Sequence, residues 1–288
     1  MWVHVNGRLV EETEAQVSVF DRGFLYGDGI FESMRSIGGV VFRLDRHLDR
    51  LARSAARIGL ERVPGPERIR AAVRDLLDRN RLAEARVRIT VTRGPGRPGD
   101  YAGATGDPTV VMYASPFHPL DPADRAQGVA VVLSSVRQVP ATVLDPALKS
   151  ISRLSAVLAR REAVARGAFE AILLDTGGFL TEGTVSNLFL LTTGRIRTPP
   201  APGVGLPGVT REAVLEIAAG AGLPTSEEAL PAAALETAEE VFLTNTSWEV
   251  LPVTRVDGRP VGTGTPGPVT VRLEEAYRDL MRRECGRA

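Results

Sequence analysis

The stretch EAILLDTGGFLTEGTVSNLFLLTTGRIRT, residues 170–198, alternates short apolar runs with turn residues at Gly177-Gly178 and Gly194. Such runs read as strands joined by tight turns, so the segment is expected to form a meander. A doubly wound sheet would need a helix between successive strands, and none fits here. Helices flank the meander instead. SRLSAVLARREAVARG, residues 152–167, precedes it and ends at Gly167, and TREAVLEIAAGAGL, residues 210–223, follows. EEVFLTNTSWEVLPVTRVDG, residues 239–258, reads as a further strand, and PVTVRLEEAYRDLMRREC, residues 268–285, as a last helix.

Working towards the N-terminus, VAVVLSSVRQ at 129–138 is a strand, and the Pro-rich SPFHPLDPADRAQG at 115–128 reads as a linker. ARVRITVTR at 85–93 and PTVVMYASPF at 108–117 alternate as strands. Two helices precede them. RLDRHLDRLARSAARIGL puts Leu44, Leu48, Leu51, Ala55 and Ile58 on one stripe, and GPERIRAAVRDLLDRNRL turns Ile69, Val73, Leu76 and Leu77 inward after Pro66. WVHVNGRLV, turning at Asn6-Gly7, and GGVVFRL have hairpin character. Strands and helices mix without strict βαβ alternation, which predicts an α+β fold. The 288 residues suggest two domains: an N-terminal α/β domain over 1–115, an interdomain linker over 116–127 and a C-terminal domain over 128–288.

The formal net charge is zero with both signs interspersed, so nucleic acid and membrane are not expected partners. No apolar run approaches the ~20 residues that span a bilayer, and the N-terminus lacks a signal-peptide pattern. Cys285 is the one cysteine, and His4, His47 and His118 are scattered without ligand spacing, so neither a disulfide framework nor a metal site is expected. A soluble cytoplasmic protein is the expectation.

Two glycine-rich GxGxxG patterns bear on phosphate binding. Gly94, Gly96 and Gly99 lead into a strand, not a helix, and fail as a nucleotide loop. Gly203, Gly205 and Gly208 stand directly before a helix, where the backbone N–H groups of Val209 and Thr210 and the Thr210 hydroxyl can face an anion. The alternative is plain Gly-Pro punctuation before a helix. Lysine use is the second signal. Of the 35 Lys plus Arg residues only Lys149, in LDPALKSISRL, is lysine. Arginine serves wherever charge suffices, but it cannot form an imine, whereas a deprotonated lysine attacks carbonyls. An amine nucleophile together with a phosphate-binding helix start points to pyridoxal 5′-phosphate.

Several motifs, in order, then resemble the fold type IV pyridoxal-phosphate enzymes, the class that holds D-amino acid aminotransferases, branched-chain aminotransferases, (R)-amine transaminases and aminodeoxychorismate lyases. FDRGFLYGDGIFESMR resembles the N-terminal signature of that family, RHLDRLARSA its phosphate-arginine helix and LKSISRLSAVLARREA its lysine segment. LTEGTVSNLFLL, LPGVTRE and FLTNTSWEVLPV resemble its most diagnostic stretch, its phosphate turn and its last active-site strand. The resemblance implies a two-domain fold with the cofactor between the domains, and a C-terminal domain that carries the lysine. It makes Lys149 the Schiff-base and proton-transfer residue and Glu182 the partner of the pyridine nitrogen. Arg50, Val209, Thr210 and Thr246 would hold the phosphate.

The implied activity is transamination between an amino acid and a 2-keto acid in a homodimer with shared active sites. Leu154 stands where branched-chain enzymes carry tyrosine five places after the lysine, so D-amino acids are favoured. Aminodeoxychorismate lyase is the alternative, since Ser152–Leu154 and the 92–101 loop look like that branch, whereas Glu32 after Phe31 looks like an aminotransferase. Branched-chain L-amino acid and (R)-amine transamination rank lower. Arg97 leads the residues expected to bind a substrate carboxylate, followed by Arg35 and Arg153. Tyr26 and Phe31 are further pocket candidates.

Overall fold

The computed structural model describes residues 1–101 and 106–286 and divides the chain into two compact units. Met1–His118, Leu148–Ser152 and Met281–Ala288 form the first, and Pro119–Ala147 with Arg153–Leu280 the second.

The first unit contains strands β1 (Trp2–Val5), β2 (Arg8–Glu11), β3 (Gly29–Ile37), β4 (Val40–Val41), β5 (Ala85–Thr92) and β6 (Thr109–Pro116). They make an antiparallel sheet in the order β2-β1-β6-β5-β3-β4. Helices α1 (Arg22–Tyr26), α2 (Leu44–Arg57) and α3 (Pro66–Asn80) complete it. Period-two alternation sends Ile30 and Met34 of β3, with Val87, Ile89 and Val91 of β5, into one core. There they meet Leu48 and Leu51 of α2 and Ile69, Val73 and Leu76 of α3, the residues of the expected helical stripes. Burying each such side chain stabilises the unit by about 1.5–3 kcal/mol. Phe31, Ser33 and Arg35 alternate with the core residues and belong to the opposite face of β3.

Lys149 belongs to this unit and not to the C-terminal one that the sequence suggested. Its segment runs along β3: Phe31 N donates to Lys149 O at 2.8 Å, and Ile151 N donates to Gly29 O at 3.1 Å. Gly27 permits the approach. It ends α1 in the left-handed region at φ 69°, and a Cβ there would lie 2.3 Å from Ser152 Oγ.

The second unit has α4 (Pro122–Gln127), β7 (Val129–Arg137), α5 (Leu154–Ala165), β8 (Glu170–Leu174), β9 (Leu180–Gly183), β10 (Asn187–Thr192) and β11 (Arg195–Thr198). It continues with α6 (Val209–Gly220), β12 (Thr225–Glu227), β13 (Glu240–Asn245), β14 (Glu249–Val256), β15 (Arg259–Pro260) and α7 (Pro268–Glu284), whose last turn falls in the first unit. The expected meander is β8-β9-β10-β11, each neighbour antiparallel. Parallel pairs β7·β8, β7·β14 and β11·β12 make the sheet mixed, so the fold is α+β in two parts.

Two local expectations change. The stretch at 239–258 is a hairpin, β13 and β14, because Asn245 Oδ1 accepts from Ser247 N at 2.8 Å and Trp248 N at 2.6 Å and closes a turn. The expected linker carries α4, whose N-cap Asp121 accepts from Ala123 N at 2.8 Å and whose Arg125 pairs with Glu274 at 2.6 Å. No described helix is long and apolar enough to cross a membrane.

Candidate functional site

In the first unit Lys149 Nζ lies 4.8 Å from the centre of the Phe31 ring, and the Arg88 guanidinium lies 3.9 Å from the same ring. Both are cation–π distances. β5 brings Arg88 there by pairing it with Ser33, while Thr90 pairs with Phe31. Sequence reading found Lys149 and Phe31 but not Arg88, which resembles any other arginine on a strand.

On the core side of β3, Glu32 is fully buried against α2. Arg50 Nε donates to its Oε1 at 2.7 Å and Arg50 Nη2 to its Oε2 at 2.7 Å, and His47 Nδ1 lies 2.8 Å from Oε2. His47 and Arg50 are three residues apart on one helical face, which sets both against a single carboxylate. Burial alone would raise the Glu32 pKa, but the Arg50 charge and the hydrogen bonds from Arg50 and His47 hold it well below the usual carboxylate range. Burial pushes the His47 imidazole down, and the Arg50 and Lys149 charges add to that against the pull of Glu32. His47 is therefore neutral, and Nδ1 carries the proton it gives to Glu32. The sequence signal for this cluster was a carboxylate between Ile30 and Met34 at a core position of the strand.

The remaining first-unit candidates are spread out. Tyr26 ends α1, and its hydroxyl accepts from Gly99 N at 2.8 Å, which fixes the loop after β5. Arg22 holds the same loop by donating to Asp100 O and to Tyr101 O, and pairs with Asp28 at 3.0 Å. Arg97 is exposed in that loop. Arg35 lies over the Phe117 ring at 3.9 Å and 3.9 Å from Glu84. It is four residues beyond Phe31 on β3, or ~13 Å along the strand, so the structure does not bring it to Lys149.

In the second unit Glu182 of β9, Asn187 of β10 and Thr244 of β13 are successive cross-strand partners. Thr246 lies two residues past Thr244 in the β13–β14 turn, at the end of the sheet that also carries the 183–186 turn. Glu182 Oε2 accepts from Leu206 N at 2.8 Å and from Asn187 Nδ2 at 3.4 Å, and Oε1 accepts from Gln138 Nε2 at 3.0 Å. These bonds tie the carboxylate to the turn that leads into α6. No side chain caps α6: Gly208 is its N-cap, followed by buried Val209 and Thr210. The Thr210 hydroxyl is 3.3 Å from that of Tyr277. Arg153 donates to Thr184 O, in the turn that separates Glu182 from Asn187. Sequence reading named Glu182, Val209, Thr210 and Thr246; Glu182 bonds to the turn before α6, Val209 and Thr210 begin that helix, and Thr246 lies in the β13–β14 turn. Gln138 and Asn187 were missed because amides carry no charge pattern.

Residues 29–256 match the amino-transferase class IV family. A putative branched-chain-amino-acid aminotransferase of Methanocaldococcus jannaschii is 40% identical over 280 residues, 97% of this chain and 96% of that protein. The D-alanine aminotransferase of Bacillus licheniformis is 34% identical over 287 residues, covering 100% and 99% of the two chains. Among solved structures, a T.th. branched-chain amino acid aminotransferase with pyridoxamine 5′-phosphate superposes with a TM-score of 0.93 at 32% identity, covering 100% of this chain and 95% of that one. The 4-amino-4-deoxychorismate lyase of Pseudomonas aeruginosa gives 0.85 at 32% identity, covering 96% and 98%. The chain belongs to the class IV aminotransferase family.

Proposed function

We propose that this aminotransferase moves amino groups between D-amino acids and 2-keto acids, with pyridoxal 5′-phosphate as its cofactor, Lys149 as the amine that links to it and Glu182 as the partner of its ring nitrogen. The observation that carries the cofactor site is the uncapped start of α6 joined through its turn to the Glu182 carboxylate, and Leu154, where branched-chain enzymes carry tyrosine, favours D-amino acids. The donor set suits the cofactor. A Cβ on Gly208 would stand 2.1 Å from Asn187 Oδ1, and one on Gly205 would stand 3.0 Å from Glu182 Oε2, so a side chain at either position would press on the Glu182–Asn187 pair. The first N–H groups of a helix have no partner within it and favour an anion such as phosphate.

When bound, the cofactor supplies a ring that accepts electrons from the bonds at the substrate's α-carbon. Lys149 would take the proton from the substrate's α-carbon and deliver it to the C4′ carbon of the cofactor. Glu182 accepts a hydrogen bond from the ring nitrogen and keeps it protonated. Val209, Thr210, Thr246 and Arg50 hold the phosphate. Arg88, which shares the Phe31 ring with Lys149, joins Arg97 and Arg153 as a cation for the substrate carboxylate, with Tyr26 anchoring the loop of Arg97. Arg35 drops out, being engaged by Phe117 and Glu84.

Exposed apolar side chains support a homodimer: Val17, Val19, Phe20 and Phe24 in the first unit, and Leu154, Val157 and Leu158 on α5 in the second. A reducing cytoplasm suits a chain whose one cysteine, Cys285, is a buried free thiol.

Aminodeoxychorismate lyase is the second reading, favoured by the likeness to the Pseudomonas aeruginosa enzyme. The holoenzyme is incubated with D-alanine, D-glutamate or L-leucine plus a keto acid, and separately with aminodeoxychorismate. Keto acid formed from a D-amino acid only with an acceptor supports the proposal. Pyruvate from the chorismate derivative without an acceptor means lyase. L-leucine as the sole donor means the activity named for the Methanocaldococcus jannaschii relative.

A further inference from the structure

We infer that Gln138 is a positioning residue for Glu182, one of two amide bridges that fix the carboxylate relative to the turn before α6. The inference rests on the reading of Glu182 as the partner of the cofactor's ring nitrogen. Gln138 follows β7, and its own backbone N–H donates to Leu174 O at 2.9 Å, which fixes where its side chain begins. Its Nε2 lies 3.0 Å from Glu182 Oε1 and 3.5 Å from Val204 O. Both partners are acceptors, so the amide must turn its nitrogen towards them; a flip would face its carbonyl oxygen against two oxygens.

Asn187 repeats the arrangement on the other oxygen. Its Nδ2 lies 3.4 Å from Glu182 Oε2 and 2.8 Å from Leu206 O. Each carboxylate oxygen thus meets an amide nitrogen that also serves a carbonyl of the 204–206 turn. One rotation about the Glu182 side chain would break both bridges and the bond from Leu206 N together.

The choice of an uncharged donor has a chemical consequence. An arginine or lysine at 138 would hold the carboxylate but would also share its negative charge, weakening its grip on a proton at the ring nitrogen. Leucine would leave Oε1 without this donor. Glutamine directs the carboxylate and leaves its charge intact.

The test compares Gln138→Leu, Glu182→Ala, the double variant and the isosteric Gln138→Glu. The readouts are the dissociation constant of pyridoxal 5′-phosphate from the apoprotein, the absorption band of the bound cofactor and the melting temperature of the apoprotein. Losing a hydrogen bond to a charged group should raise the dissociation constant about tenfold in Gln138→Leu, with a band change in the direction of Glu182→Ala. In the Glu182→Ala background the same substitution should add less than twofold. Gln138→Glu, which sets a like charge on Oε1, should lose at least as much. Gln138→Leu within twofold of wild type and with its band, while Glu182→Ala changes both, overturns the role of Gln138 and leaves that of Glu182 standing. Losses that simply multiply in the double variant overturn it too, as would wild-type affinity in Gln138→Glu should Gln138→Leu fail to fold. An unchanged Glu182→Ala removes the reading of Glu182 beneath it.

Discussion

Glu32 and Arg50 form a buried two-bond fork, Nε to Oε1 and Nη2 to Oε2, both 2.7 Å, with His47 completing the pairing of the carboxylate. Removing one member of such a pair leaves the other as an uncompensated buried charge. Glu32→Gln should therefore lower the stability of the apoprotein by about 3 kcal/mol, read from urea unfolding. The amide keeps one acceptor for Arg50 but not its countercharge. A loss below 1 kcal/mol would mean that Arg50 reaches solvent or another anion.

The same cluster sets an acid limit. His47 is held below its ordinary value of 6.5 and Glu32 below its ordinary 4.5. Each group then binds fewer protons folded than unfolded across its window, so stability falls as pH falls. The His47 contribution is complete above pH 6.5 and declines below it, and the Glu32 contribution is complete above 4.5 and is lost at lower pH. His4, also lowered by burial, adds to the first window. Urea midpoints measured from pH 8 down to 4 should decline from about 6.5. His47→Asn should make that first decline shallower, and an unaltered slope would show that His47 is charged in the folded protein.

Lys149 was legible because a chain with 34 arginines among 35 basic residues kept one lysine, and arginine cannot do amine chemistry. Its neighbourhood was less so. Pairing of the 149–151 backbone with β3 is a non-local event with no periodic signature, which is why the sequence assigned the segment to the C-terminal part. The meander and the start of α6 depend on local patterns, glycine turns and an apolar helical stripe, and were readable. Arg50 was not readable from its helix alone, since its partner Glu32 comes from a strand 18 residues away.

Lys149→Arg preserves the charge beside Phe31 and removes the amine that links to a carbonyl. Turnover should fall by at least about a thousandfold, while melting temperature of the apoprotein stays within a few degrees. Borohydride should fix the cofactor covalently to the wild-type protein and not to the variant, as read by mass spectrometry. Covalent labelling of Lys149→Arg would place the carbonyl chemistry elsewhere in the chain.

Gly208 tests the turn before α6 without altering any charge. An ideal Cβ would lie 2.1 Å from Asn187 Oδ1 and 3.3 Å from Arg211 Cβ, so Gly208→Ala forces either the turn or Asn187 to move. Glycine's backbone there is extended, at φ −71° and ψ 135°, which alanine adopts freely, so the cost is contact and not backbone strain. Asn187 cannot retreat without releasing Leu206 O at 2.8 Å and Glu182 Oε2 at 3.4 Å. The disturbance therefore passes to the carboxylate as well as to the helix start. Gly208→Ala should cost about 1–3 kcal/mol of stability, the range for overpacking, and weaken pyridoxal phosphate binding by at least about tenfold. Combining it with Asn187→Ala, which removes the clashing oxygen, should restore much of the lost stability but not the affinity, since the bridge to Glu182 is then gone. Stability that stays low in the double variant would show that the clash lies with Arg211 and not with Asn187.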